Sequence, residues 1–221
     1  MKINIAIDGP SAAGKSTIAD TLAHELGYTH LDTGAMYRAV ALKALRSGID
    51  LADEEKIVEM IAAMDLQMPA DGRVILEGED VSDQIRTNEI SMAASDVSKL
   101  AGCRSALVAM QQRICKEGGY ILDGRDIGTV VLKDAPVKIY LVATPEARAQ
   151  RRVLQDAKKG IEDDYDQILE DIKKRDYQDM HREVSPLKKA DDAIEIDTSD
   201  LNKEEVAEAV MAIVREKLGE K

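Results

Sequence analysis

Gly9-Pro10-Ser11-Ala12-Ala13-Gly14-Lys15-Ser16-Thr17 follows the apolar run Ile3-Asn4-Ile5-Ala6-Ile7 and leads into a segment with Ile18, Leu22 and Leu26 at helical spacing. Strand, glycine-bounded loop, Lys-Ser and helix are the parts of a G-x-x-x-x-G-K-[ST] phosphate loop, in the order that loop requires. Glycines at both ends permit backbone dihedrals and close approaches that a Cβ would block. The loop N–H groups and the positive end of the helix dipole converge on phosphate oxygens. Lys15 adds a full charge near the β- and γ-phosphates, and the Ser16 hydroxyl is placed to ligate Mg²⁺. The stretch predicts a nucleoside triphosphate site.

The totals fit one α/β domain. The 221 residues can bury one good-sized core, and 44% hydrophobic with 33% charged residues is ordinary for a globular chain. A net charge of −12 argues against a nucleic-acid polymer as partner, because that footprint needs a basic face. A nucleotide site survives it, since a few arginines focused in a cleft outvote the global charge locally. Cys103 and Cys115 lack metal-ligand spacing, so free thiols in a reducing compartment are expected. No signal peptide and no apolar run of bilayer length is present, and the expected location is the cytoplasm. With neither Trp nor Phe, the core must rest on aliphatic residues and Met, with six Tyr.

Beyond the first helix, Thr29-His30-Leu31-Asp32 reads as a strand, and Met36, Val40, Ala44 and Leu45 mark one face of a helix. Strand, helix and strand suggest a βαβ unit and a parallel sheet. Asp53 caps a short helix from Glu54 to Met64. From Asp65 to Arg86 the period changes to short β-like pieces, with Asp71-Gly72 a hairpin turn. This is too small for a domain and reads as an inserted lobe. Helices follow over Asn88–Lys99 and Cys103–Lys116, then strands Tyr120–Asp123 and Val137–Val142. Thr144 and Pro145 start a helix carrying Arg148, Arg151 and Arg152, which gives way near Lys158-Lys159-Gly160 to the acidic stretch Ile161-Glu162-Asp163-Asp164, a lid composition. A polar helix from Tyr165 to His181, a strand Ala193–Asp197 and a helix opened by an Asn202/Glu205 capping box complete the chain.

A phosphate loop alone does not fix a reaction. Tyr37-Arg38, Arg104, Gly124-Arg125-Asp126, Arg148 to Arg152 and Arg175-Asp176 through Arg182 scatter basic residues through an acidic chain, several where strands end. Open α/β sheets bind ligands at those ends. Transfer between two phosphate-bearing substrates needs both polyanions held in line with their repulsion neutralised, and arginine forks suit that task. The competing reading makes each arginine a surface partner among 42 acidic residues.

Ile7-Asp8-Gly9-Pro10-Ser11, Leu31-Asp32-Thr33-Gly34-Ala35-Met36-Tyr37-Arg38, Asp123-Gly124-Arg125-Asp126-Ile127-Gly128-Thr129-Val130-Val131 and Arg175-Asp176 occur in this order. Together they closely resemble the bacterial-type cytidylate kinases, over essentially the whole chain. The resemblance implies the P-loop nucleoside monophosphate kinase fold: a five-stranded parallel sheet flanked by helices, a monophosphate-binding insertion over about residues 36–105 and a lid over about 148–166. It implies Mg²⁺- and ATP-dependent phosphorylation of CMP and dCMP, by a chain expected to be a monomer. The ATP site is then Gly9 to Thr17 with Arg152, and Lys15, Arg125, Arg148 and Arg151 are the catalytic set. Ser95, Arg104 and Asp126 are expected to hold cytosine, whose N4 amine a carboxylate accepts. Arg38, Arg125 and Arg182 grip the acceptor phosphate, Arg175 and Asp179 contact the sugar, and Thr33 and Tyr37 complete that site. Thr33 stands where many relatives carry Ser. Asp123 either helps hold Mg²⁺ through water or orders the Gly124-Arg125 turn. The attacking phosphate oxygen is mostly ionised at neutral pH, its second pKa being about 6, so no histidine is required.

Two other readings are weighed. A GTP-dependent switch needs Asn-Lys-x-Asp and Asp-x-x-Gly, and neither occurs. A kinase for uridylate or an alcohol is a distant alternative, since an alcohol acceptor usually wants a base.

Overall fold

The computed structural model describes residues 2–158, 160 and 163–219. Lys159, Ile161 and Glu162 of the expected lid lie outside the described residues.

Strands β1 (Ile5–Asp8), β2 (Thr29–Asp32), β6 (Tyr120–Gly124), β7 (Val137–Val142) and β8 (Ile194–Asp197) form a five-stranded sheet in the order β2-β6-β1-β7-β8. Every neighbouring pair is parallel. The expected βαβ unit and parallel sheet are present, with β6 lying between β1 and β2 and bonded to both. Helix α1 (Lys15–Leu26) therefore spans a gap of one strand.

Alternation along the strands divides the core. Ala6, Leu31 and Leu122 point to the side packed by α2 (Thr33–Arg46), α3 (Glu54–Ala63), α4 (Asn88–Val97) and α5 (Ala101–Ile114). Ile5, Ile7, Ile121 and Ile139 point to the other side, against α1 and α8 (Lys203–Leu218). Strands covered on both faces read as continuous apolar runs, as β1, β6 and β7 largely do, whereas β2 and β8 at the sheet edges carry polar residues. On α2, Met36, Val40 and Ala44 are buried as the period requires, whereas Leu45 lies one position too far round and is exposed.

The region of changed period is a small antiparallel sheet, β3 (Leu66–Gln67), β4 (Ile75–Leu76) and β5 (Glu79–Asp80). Leu76 and Val81 bury into the α2–α5 core, so the lobe is anchored there rather than folding alone. The remaining α-helices among the described residues are α6 (Pro145–Ala157) and α7 (Tyr165–His181). Thr144 caps α6 by accepting from the Ala147 N–H, and the Asn202/Glu205 capping box of α8 is complete. No described helix is long and apolar enough to cross a membrane.

Candidate functional site

The carboxyl ends of β1, β2 and β6 open onto one cavity of about 1370 Å³. The phosphate loop follows β1. Gly9 takes φ +149°, and a Cβ there would stand 2.1 Å from the Leu141 carbonyl oxygen, so this glycine is required by packing against β7 rather than by a ligand. Gly14 takes φ +92° with nothing within 4 Å, so its requirement is conformational alone. Ala12 adopts φ 57° without being glycine, a strained turn of the kind that forms anion-binding loops.

Ser11 to Thr17 line the cavity, whereas Gly9 and Pro10, also expected in the ATP site, are not part of its lining. The buried Lys15 donates to the Pro10 carbonyl at 2.7 Å. Burial, reinforced by the nearby Arg125 charge, lowers the Lys15 pKa to about 7. An arriving phosphate reverses that balance by supplying the missing anion.

On the metal side the Ser16 hydroxyl donates to Asp123 Oδ2 at 2.9 Å. Asp123 Oδ1 faces His30 Nε2 at 2.7 Å, and His30 Nδ1 faces Asp20 Oδ1 at 2.6 Å. Burial works against a charged His30, yet its hydrogen bonds to Asp123 and Asp20 prevail and raise its pKa to about 10. The Asp123 carboxylate thus reaches Ser16 and His30, while its backbone carbonyl accepts from the Thr33 hydroxyl at 2.7 Å. Thr33 lines the cavity with that proton already committed, leaving its oxygen an acceptor.

Across the cavity stand Tyr37, Arg38, Ser95, Arg104, Arg125, Asp126, Arg175, Asp179 and Arg182, so these expected acceptor-site residues share one space with Lys15. Arg38 donates to Asp32 Oδ2 at 2.8 Å, and Arg125 donates to Asp179 Oδ2 at 2.8 Å. Arg104 is bonded to Asp126 and lies over the Tyr37 ring at 5.5 Å. Arg182 approaches both Asp126 and Asp179, at 3.9 and 3.7 Å. Ser95 Oγ meets Gln178 Oε1 at 3.4 Å. Among the described residues, buried nitrogens without partners remain on Arg38, Arg104, Arg175 and Arg182. Such orphans are costly unless a ligand fills them, and a phosphate or a base edge is what guanidinium groups fill.

The lid arginines divide. Arg151 and Arg152 line the cavity. Arg151 is tied to the Thr198 hydroxyl at 3.1 Å, and Arg152 to Asp156. Arg148, expected in the catalytic set, stands apart from them. It is buried outside the cavity lining, forks onto Asp176 and donates to the carbonyls of Ala143 at 2.9 Å and Ser11 at 3.2 Å. Those bonds make it a brace between α6, α7 and the back of the phosphate loop.

The sequence reading missed His30 and Asp20, and also Arg73 and Arg86, which line the cavity from the inserted lobe and its exit. His30 carried one usable signal, its place two residues before Asp32 on the same side of a strand.

Sheet order, loop and guanidinium-lined cavity define a phosphate-loop kinase. The family model described as cytidylate kinase matches residues 5–216. A cytidylate kinase of Caldicellulosiruptor bescii is 55% identical over 96% of this chain and 95% of its own length. Another, of Bacillus subtilis, is 47% identical over 98% of each. The chain belongs to the cytidylate kinase family. A solved structure of an uncharacterized Eubacterium ventriosum protein shares the fold at TM-score 0.54 and 12% identity, covering 98% of this chain and 99% of that one.

Proposed function

We propose that this protein transfers the γ-phosphoryl group of ATP to CMP and dCMP, giving CDP and dCDP. The observation that carries this reading is the single cavity in which Lys15 and the phosphate loop face Arg38, Arg125 and Arg175. Two polyanions brought together there meet fixed positive charge in a half-dry setting, which is most of what phosphoryl transfer asks of a protein. Family membership supports the pyrimidine acceptor. So does Asp126: held by Arg104, its carboxylate can accept from a cytosine amine and repels the uracil carbonyl that would replace it. Arg104 and Ser95 supply further polar atoms for the base, and Asp179 can accept from a sugar hydroxyl. The acceptor phosphate is its own nucleophile, so no side-chain base takes part.

Mg²⁺ suits the donor set. Ser16 and Asp123 offer hard oxygen ligands, directly or through water, and among the described residues no group of three or more His, Cys, Asp or Glu side chains is arranged to hold a metal ion by itself. Magnesium uses few protein ligands and takes the rest from phosphates and water. When bound it neutralises charge between the β- and γ-phosphates. Arg151 and Arg152 lie where they can reach the ATP phosphates after leaving Thr198 and Asp156. A location in the cytoplasm and a monomeric state belong to the same reading.

Initial rates with a panel of nucleoside monophosphates at fixed ATP test it. CMP and dCMP are expected to be the fastest acceptors, with UMP slower and AMP and dTMP inert. Preference for AMP or dTMP would overturn the proposal.

A further inference from the structure

We infer that His30 is a positioning residue of the transfer site, holding the Asp123 carboxylate so that the Ser16 hydroxyl presents its free lone pairs to the cavity. The inference deepens the proposed phosphotransfer and rests on it.

Ser16 and Asp20 lie four residues apart on α1 and so share a helix face. His30 and Asp123 lie on adjacent strands, with Asp123 paired to Asp32 two positions further on. Side chains two apart on a strand share a sheet side, so His30 and Asp123 both project toward the side that α1 covers. The imidazole fills that angle: one nitrogen meets Asp20 at 2.6 Å, the other meets Asp123 at 2.7 Å. Its side chain is 13% exposed, and that of Asp123 5%. Since both nitrogens face carboxylate oxygens, both donate.

Asp123 is thereby fixed at each oxygen. Oδ1 is held by His30, and Oδ2 accepts from Ser16 Oγ at 2.9 Å. Because the Ser16 proton points at Asp123, the lone pairs of Oγ are left for a cation beside the phosphates. Without the ring, Asp123 keeps one anchor and can turn about its last torsion, and Ser16 loses a fixed acceptor. Partners that orient a ligand in this way are as much a part of a metal site as the ligands themselves. Asp20, with a 71% exposed side chain, anchors the ring from outside.

The test uses His30→Leu, His30→Gln and Asp20→Asn in the full-length chain. ATP affinity is measured by calorimetry with and without Mg²⁺, and KM for CMP and for Mg²⁺ by initial rates. His30→Leu is expected to cut the Mg²⁺-dependent gain in ATP affinity about tenfold, the low end for an orienting partner, with KM for CMP changed less than about twofold. His30→Gln, which keeps a donor toward Asp123, is expected to recover most of the gain. Asp20→Asn should show a smaller loss of the same sign, and it decides the matter if His30→Leu does not fold. An unchanged gain in His30→Leu overturns the inference, as does a loss of ATP affinity equal with and without Mg²⁺. So does a loss shared equally by Leu and Gln, which would mark ring volume rather than hydrogen bonding. A wild-type chain inactive on every monophosphate sinks the proposed function while the calorimetry still reads His30.

Discussion

Asp8 shows how far one residue can depart from its type. It ends β1 with its carboxylate buried, accepting from the backbone N–H groups of Ile127 at 2.8 Å and Gly128 at 2.7 Å. Burial raises its pKa to about 6, the two N–H bonds and Lys15 pull it down, and Asp126 pushes it up. The linkage sign is opposite to that of most carboxylates. Below the unfolded value of 3.8 both states are protonated, and as pH rises toward 6 the unfolded chain ionises first, so stability is lost. Two pKa units correspond to roughly 3 kcal/mol. Urea unfolding of the wild type and Asp8→Asn at pH 4 and pH 7 isolates the effect. The wild type should lose roughly 2–3 kcal/mol relative to the Asn variant between the two. A flat difference would mean that the two N–H bonds and Lys15 fully offset burial, and a difference of opposite sign that they outweigh it. Residues such as Asp8, His30 and Arg148 were only half legible in the sequence. His30 meets partners ten and ninety-three positions away, and Arg148 reaches Ser11 across 137. Spacing along the chain carries no information about such pairs, whereas Lys15 and Ser16 are fixed by neighbours within one loop.

At the level of elements the chain announces itself well. Buried strands appear as apolar runs, α3, α6 and α8 carry their caps where Asp53, Thr144 and Asn202 stand, and Asp71-Gly72 marks the turn of the inserted lobe. What local sequence does not carry is strand order, since the insertion of β6 between β1 and β2 depends on all strands at once. The phosphate loop joins the two kinds of information. Its glycine spacing is visible, but the reasons differ at its two ends. Gly9→Ala drives a Cβ into the backbone of β7, which cannot yield without parting β7 from β1, whereas Gly14→Ala meets no atom and pays only for an unfavourable φ. Gly9→Ala should therefore cost more than about 3 kcal/mol, against about 1–2 for Gly14→Ala. Chemical unfolding of both variants gives the comparison. Equal losses would show that backbone conformation rather than contact with β7 governs Gly9.

Over the whole molecule, an acidic chain of net charge −12 gathers Arg38, Arg104, Arg125, Arg175 and Arg182 around one cavity. The arrangement is poised against its own stability. Arg175 on α7 forms no ion pair among the described residues, and its Nε is buried without a partner. Burial, with repulsion from Arg125 next, lowers its pKa to about 10. A charge held this way is unfavourable in the free protein and becomes favourable when a phosphate or sugar oxygen arrives. Replacing it by an apolar side chain of similar length should relieve the free protein. Asp179 would keep Arg125 at 2.8 Å and Arg182 at 3.7 Å, so no carboxylate is stranded by the change. Arg175→Met is expected to raise the melting temperature of the free protein by about 2–4 °C, the equivalent of about 1 kcal/mol in a chain of this size. The extra stability conferred by saturating CMP should shrink in the same variant, because the group that CMP would satisfy is gone. Differential scanning calorimetry with and without CMP reads both quantities. A variant that melts lower than wild type in the free state would show that Arg175 is already satisfied by the acidic groups of α7, and that the cavity stores no unfavourable charge for its ligand to relieve.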